Sequence, residues 1–139
     1  MQVHLVNTLS IAPSKENGRG ETHSIHATPS FEGRPVFNDV LVDSGEAEDW
    51  CGKVLMLFRI RVPTLSTECA FKFASCALVR WYELLPELGD ACRCPIYRWE
   101  LRKGKEQLSV VHIRSIKEVC QMIPVGVKDG MMYYRNIWL

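Results

Sequence analysis

Helical periodicity is missing from this sequence. No window of about 11 residues repeats its apolar side chains at the 3.6-residue spacing of an amphipathic helix, which argues against a helical bundle and a βαβ fold. No apolar run approaches about 18 residues, so no spanning helix is expected. Met1-Gln2-Val3-His4-Leu5 lacks the basic start and long apolar core of a secretory signal. Internal repeats and low-complexity tracts are absent. So are G-x-S-x-G, H-E-x-x-H, the P-loop and G-x-G-x-x-G. The adjacent carboxylates Glu48-Asp49 stand in one acidic turn, not in the two contrasting environments that a catalytic pair requires. No enzyme is therefore expected.

Metal-ligand spacing is also thin. Cys92-Arg93-Cys94 would supply half a zinc site, but the other cysteines (51, 69, 76 and 120) are scattered singly, and a structural site takes four ligands. His23 and His26 would share a face on a helix. Their segment reads as strand, where residues three apart point to opposite faces. Metal and cofactor are both expected to be absent, and the six thiols to be reduced, given no sign of an oxidising compartment.

What the chain does have is period-two alternation. From Lys53 to Val62 the even positions Val54, Met56, Phe58, Ile60 and Val62 are apolar, and Leu55 and Leu57 make the middle apolar on both faces. From Ala70 to Tyr82, Phe71, Phe73, Ala77, Val79 and Trp81 share one face, while Lys72, Cys76, Arg80 and Tyr82 share the other. The connection at residues 63–68 makes these a long central hairpin. Further strands are expected at Val3 to Ile11, Glu21 to Thr28, Val36 to Val42, Ile96 to Leu101, Leu108 to Ile113, Val119 to Val125 and Met131 to Leu139. Residues 12–20 and Glu83 to Pro95 read as loops, and Ser115 to Glu118 as a short helical turn. The expected architecture is one all-β domain over residues 1–139: a small barrel or two packed antiparallel sheets, with residues 1–35 as an N-terminal hairpin extension to a core at 36–139.

Two resemblances follow from particular residues. Asp39-Val40-Leu41-Val42, Trp50 to Ile60, Leu78-Val79-Arg80-Trp81-Tyr82, Val111 to Ile116, Val119 to Ile123 and Tyr133-Tyr134-Arg135 come in the order of, and resemble, features of a bromo-adjacent homology (BAH) domain, over about two-thirds of the chain. His112 stands where that family usually has a proline, and the Val3–Thr28 hairpin lies outside the usual domain. The whole chain also resembles a C-terminal β domain of transposon-derived proteins, through Ala27-Thr28-Pro29-Ser30-Phe31, Gly33-Arg34-Pro35, Leu55-Met56-Leu57-Phe58, Val79-Arg80-Trp81-Tyr82 and the ending Tyr133 to Trp138. The resemblances imply a non-enzymatic interaction module of a chromatin-associated or transposon-derived protein, intracellular and nuclear. With no spanning run, no membrane partner is expected.

Binding candidates divide by chemistry. Some BAH domains read methylated lysine with an aromatic cage, through cation–π attraction. The residues nominated for such recognition of a protein or histone-tail peptide are Tyr82, Tyr97, Trp99 and Tyr134. Tyr82 faces away from Trp81, so only one of these two is expected in the core. The alternative is weak nucleic-acid contact through Arg59, Arg61, Arg102, Lys103 and Lys105, or a purely structural domain. Charge supports that alternative in one respect: residues 1–50 carry three basic and eight acidic side chains, and residues 51–139 carry 14 and eight.

Overall fold

The computed structural model describes residues 2–11, 23–63, 71–88, 93–127 and 130–137. Strands follow one another along the chain: β1 (Val3–Val6), β2 (Thr8–Ile11), β3 (His23–Phe31), β4 (Arg34–Phe37), β5 (Asp39–Val42), β6 (Trp50–Pro63), β7 (Phe71–Leu88), β8 (Pro95–Trp99), β9 (Leu101–Arg102), β10 (Lys105–Glu106), β11 (Leu108–His112), β12 (Ile116–Cys120), β13 (Met122–Val127) and β14 (Gly130–Arg135). One 3₁₀ turn, Ile113–Ser115, precedes β12, and the described residues form no α-helix. The protein is all-β, built of packed antiparallel sheets.

The β6–β7 hairpin organises the molecule. These strands are 14 and 18 residues long, so each has room for two partners along its outer edge. β6 carries β5 against Trp50–Lys53 and β1 against Leu57–Ile60. β7 carries β11 against Cys76–Arg80 and β8 from Tyr82 onward. The main path runs β12-β5-β6-β7-β8-β14-β13, and β2-β3-β4 form a second sheet. The path bends far enough that its two outermost strands are consecutive in sequence, joined by Gln121 alone. Asn136 clasps this junction: its backbone N–H donates to the Gln121 carbonyl at 2.9 Å and its Nδ2 to Gln121 Oε1 at 2.8 Å. β12 and β13 do not pair with each other, so no closed barrel forms among the described residues. Of the two expected architectures, the packed sheets are the one observed.

Two cores lie on opposite faces. The first packs Leu9, Ile11, Ile25 and Ala27 of the small sheet against Val40, Val42, Val54, Leu57, Ala77, Val79, Trp81 and Ile116. The second, inside the bend, holds Leu41, Cys51, Tyr82 and Tyr97, with Trp99, Cys120, Met122 and Tyr133 against it. Strand alternation sends Trp81 to one core and Tyr82 to the other, and both are buried. The expectation that only one of them is core fails because β7 is covered on both faces.

Other differences have local causes. Leu55 is the extra residue of a β-bulge between the Val54–Val79 and Met56–Leu78 pairs. A bulge reverses facing, so Val54 and Leu57 share a core while Met56, on the expected buried face, is exposed. The expected single strand from Val3 to Ile11 breaks at Asn7: β1 joins the large sheet and β2 pairs with β3. β3 continues through Pro29 to Phe31, and the chain turns at Glu32-Gly33, both at positive φ. The expected loop from Glu83 is strand as far as Leu88, because a register shift between Leu84 and Leu88 accommodates Pro86. The expected strand from Val119 to Val125 is divided at Gln121. The connection expected at residues 63–68 lies, after Pro63, outside the described residues, as do Cys69, Cys92 and Trp138.

Candidate functional site

β6, β7 and β11 leave a concavity where the acidic turn at residues 43–49 meets the start of β6. Gly45 holds this turn at positive φ, and its N–H donates to Asp43 Oδ1 at 2.8 Å. Ser44 Oγ donates to the Glu48 carbonyl at 2.6 Å. The resulting cavity has a volume of about 490 Å³, within the range of small-molecule and side-chain pockets. Its aromatic wall is Trp50, Trp81, Tyr82 and Tyr97; its acidic lining is Glu46, Glu48, Asp49, Glu83 and Glu100; among the described residues Arg102 is its one basic residue.

Trp50 is 53% exposed and stands edge-on to Trp81, with ring centroids 5.4 Å apart. Trp81 is fixed from behind, because its Nε1 donates to Ser109 Oγ at 2.8 Å. Three of the carboxylates meet cations of this chain: Asp49 with Lys117 at 3.1 Å, Glu83 with Arg98 at 2.9 Å and Glu100 with Arg102 at 3.3 Å. Glu46 and Glu48 make no ion pair among the described residues. The cavity can therefore receive a cation at its rim and offer it an aromatic face.

The four nominated aromatics divide. Tyr82, Tyr97 and Trp99 come together; Tyr134 does not. On β14 it neighbours Tyr133, and alternation gives Tyr133 the place in the second core. Tyr82 stacks on Trp99 at 4.2 Å and 13°, and Tyr133 meets both rings edge-on at 5.2 and 5.7 Å. The Arg80 guanidinium carbon stands over the Trp99 ring at 3.9 Å. Two groups at this height cannot share one face, so the indole is sandwiched between Tyr82 and Arg80. Tyr82 and Tyr97 also border the cavity, whereas Trp99 and Tyr133 do not line it. Trp50, which was not nominated, supplies the exposed face.

Electrostatics of the second core are set by burial. Burial raises the Asp39 carboxyl above its ordinary value, against the opposing pull of Lys53 and the Tyr82 hydrogen bond. Burial, with Asp39 beside it, pushes the Tyr82 hydroxyl far up, and burial also raises Tyr97. The hydrogen-bonded Cys120 thiol and then burial raise the Cys51 thiol. Burial and mutual hydrogen bonds dominate these shifts, an arrangement suited to structure more than to proton transfer.

The nominated basic residues form two separate sets. Arg59 pairs across the ladder with Ser75, five residues along β7 from Arg80, which meets Glu106 of the β9–β10 hairpin. That spacing is about 17 Å at strand rise. Arg102 and Lys105 sit in that hairpin and Lys103 in its turn, with Arg102 paired to Glu100. Arg61 lies beyond Arg59 on β6. His23 and His26 stand on opposite faces of β3, and His26 Nδ1 shares a hydrogen bond with Thr8 Oγ1 at 3.1 Å. Among the described residues no three His, Cys, Asp or Glu side chains group as a metal site, and no helix is long and apolar enough to cross a membrane.

No protein-family model, curated protein or solved structure matches the chain.

Proposed function

We propose that this chain is a non-enzymatic interaction module that binds a basic segment of a partner protein, of the kind found in histone tails, in the acidic aromatic cavity. The observation that carries this reading is the exposed Trp50 face beside Glu46 and Glu48, two carboxylates with no ion pair among the described residues, at the mouth of a cavity of about 490 Å³. A lysine or arginine side chain placed there gains cation–π attraction and a carboxylate partner together. The resemblance to a BAH domain and to a domain of transposon-derived proteins agrees with this reading and adds a nuclear, chromatin-associated setting to it.

Nucleic-acid contact is the weaker reading. Its five basic residues stand in two sets, and Glu100 and Glu106 partly cancel the field of the hairpin set.

The test is a titration of lysine- and arginine-rich peptides followed by tryptophan fluorescence, against acidic peptides of equal length. Saturable binding of basic peptides, lost in Trp50→Ala and weakened in Glu48→Gln, is expected. Equal response to both peptide classes would refute the reading.

A further inference from the structure

Three sulfur atoms from three strands converge at the inner side of the bend. Cys51 Sγ on β6 lies 3.7 Å from Cys120 Sγ on β12 and 3.9 Å from Met122 Sδ on β13. Metal–thiolate bonds of about 2.3 Å separate two sulfurs by roughly 3.8 Å at tetrahedral angles and roughly 4.0 Å at trigonal ones. Sulfurs in plain contact sit at a similar spacing, so distance alone does not decide. Three further features do.

The donors are all soft, two thiols and a thioether, in a shell of Leu41, Tyr82, Tyr97 and Tyr133. Such a set selects cuprous copper over harder ions. Three donors suit a trigonal cuprous centre, whereas a structural zinc site takes a fourth.

Charge also closes. Arg135 sits across the ladder from Met122, acts electrostatically on Cys51 and hydrogen-bonds Tyr97, yet its Nε is buried with no hydrogen-bond partner among the described residues. Two thiolates, one cuprous ion and this guanidinium sum to zero.

Access is the third feature. Cys51 is buried, but Cys120 and Met122 are only half-buried, and Cys51 lies on the lining of the acidic cavity. A cation has an entry path.

We propose that Cys51, Cys120 and Met122 form a three-sulfur site for one cuprous ion. Binding forms two copper–thiolate bonds and one copper–thioether bond and releases the two thiol protons to solvent. The ion joins β6 to β12 and β13 across the bend, so it stabilises the folded state by mass action.

The experiment titrates cuprous ion anaerobically into the full reduced chain, with a colorimetric cuprous chelator as competitor, and reads X-ray absorption of the loaded protein. One retained equivalent is expected, with three sulfurs at about 2.3 Å and a raised thermal midpoint. Cys120→Ser and Met122→Leu should each weaken retention at least tenfold, and Cys92→Ser should leave it unchanged. Met122→Leu conserves the core, so it stays informative where Cys120→Ser does not fold. Loss of all copper to the chelator, or retention that follows Cys92 and not Cys120 and Met122, would overturn the proposal.

Discussion

The Tyr82 hydroxyl donates to Asp39 Oδ1 at 2.7 Å, and Lys53 Nζ lies 3.2 Å from the same oxygen. This contact ties β7 to β5 across the intervening β6. It gives a carboxyl inside the second core two partners, which burial of a charge requires.

The pH consequence has a definite sign. Asp39 is raised above 3.8 in the folded state, chiefly by burial, so the folded chain holds that proton more tightly than the unfolded chain. Its contribution to stability is complete below the unfolded value and is lost as pH rises through the folded one. Asp39→Asn keeps an acceptor for Tyr82 and removes the ionisation. Urea midpoints measured from pH 3 upward should show wild type losing stability relative to Asp39→Asn across that window. A constant difference between the two would disprove the assignment.

The bulge at Leu55 predicts unequal neighbours. Leu57→Ala should cost about 2–5 kcal/mol, because Leu57 is 1% exposed in the first core. Met56→Ala, at an exposed position, should cost less than about 1 kcal/mol. Val79→Asp should abolish soluble folding, since it buries an unpaired carboxylate. Denaturation midpoints check the first two, and similar costs at 56 and 57 would contradict the bulge.

Gly52 is required by a close approach. A Cβ at that position would overlap Val79 Cγ1 and lie 2.9 Å from the Arg80 carbonyl oxygen and 3.1 Å from Trp81 Cε3. The backbone atom cannot yield without breaking the β6–β7 ladder. Gly52→Ala should destabilise by about 3 kcal/mol, as overpacked cores do. A thermal midpoint close to that of wild type would show that the hairpin yields.

Trp50 and Trp99 should separate binding from stability. Trp99, between Tyr82 and Arg80, should cost about 3 kcal/mol as Trp99→Ala. Trp50→Ala should change stability by less than about 1 kcal/mol while removing basic-peptide binding. Urea denaturation and peptide titration on both variants measure this; a binding loss matched by equal destabilisation at Trp50 would make its role structural.

Duplex DNA should bind weakly, in the non-specific range of about 10⁻⁴–10⁻⁶ M, with affinity falling steeply as salt is raised. Submicromolar, sequence-selective binding lost on replacing Arg102, Lys103 and Lys105 with Ala would make nucleic acid the partner.

Alternation alone made β6, β7 and the all-β class legible, because each face of a strand records its own burial. It also placed Tyr97 and Trp99 together. It could not reveal the bulge at Leu55, since an extra residue leaves the composition of the run unchanged. Nor could it choose Tyr133 over Tyr134: both are aromatic, and only the register with β8 decides which one turns inward. Alternation could not single out Trp50 among the aromatics, because it begins a strand beside an acidic turn and its exposure depends on where β7 places Trp81. The sulfur cluster joins residues 51, 120 and 122, which become neighbours only because β12 and β6 flank β5 and the sheet bends.

The junction at Gln121 ties together the two ends of the path. β12 pairs with β5, and β13 reaches β8 only through β14, so the two strands that Gln121 joins dock at opposite ends of the path. Such non-local pairing folds on the scale of milliseconds to seconds. Until β14 arrives, β8 is an open edge with Ile96 and Tyr97 uncovered, available to the same edge of another chain. Slow docking of β14 on β8 would leave that edge open to self-association, and dilution during refolding should then raise the yield of monomer.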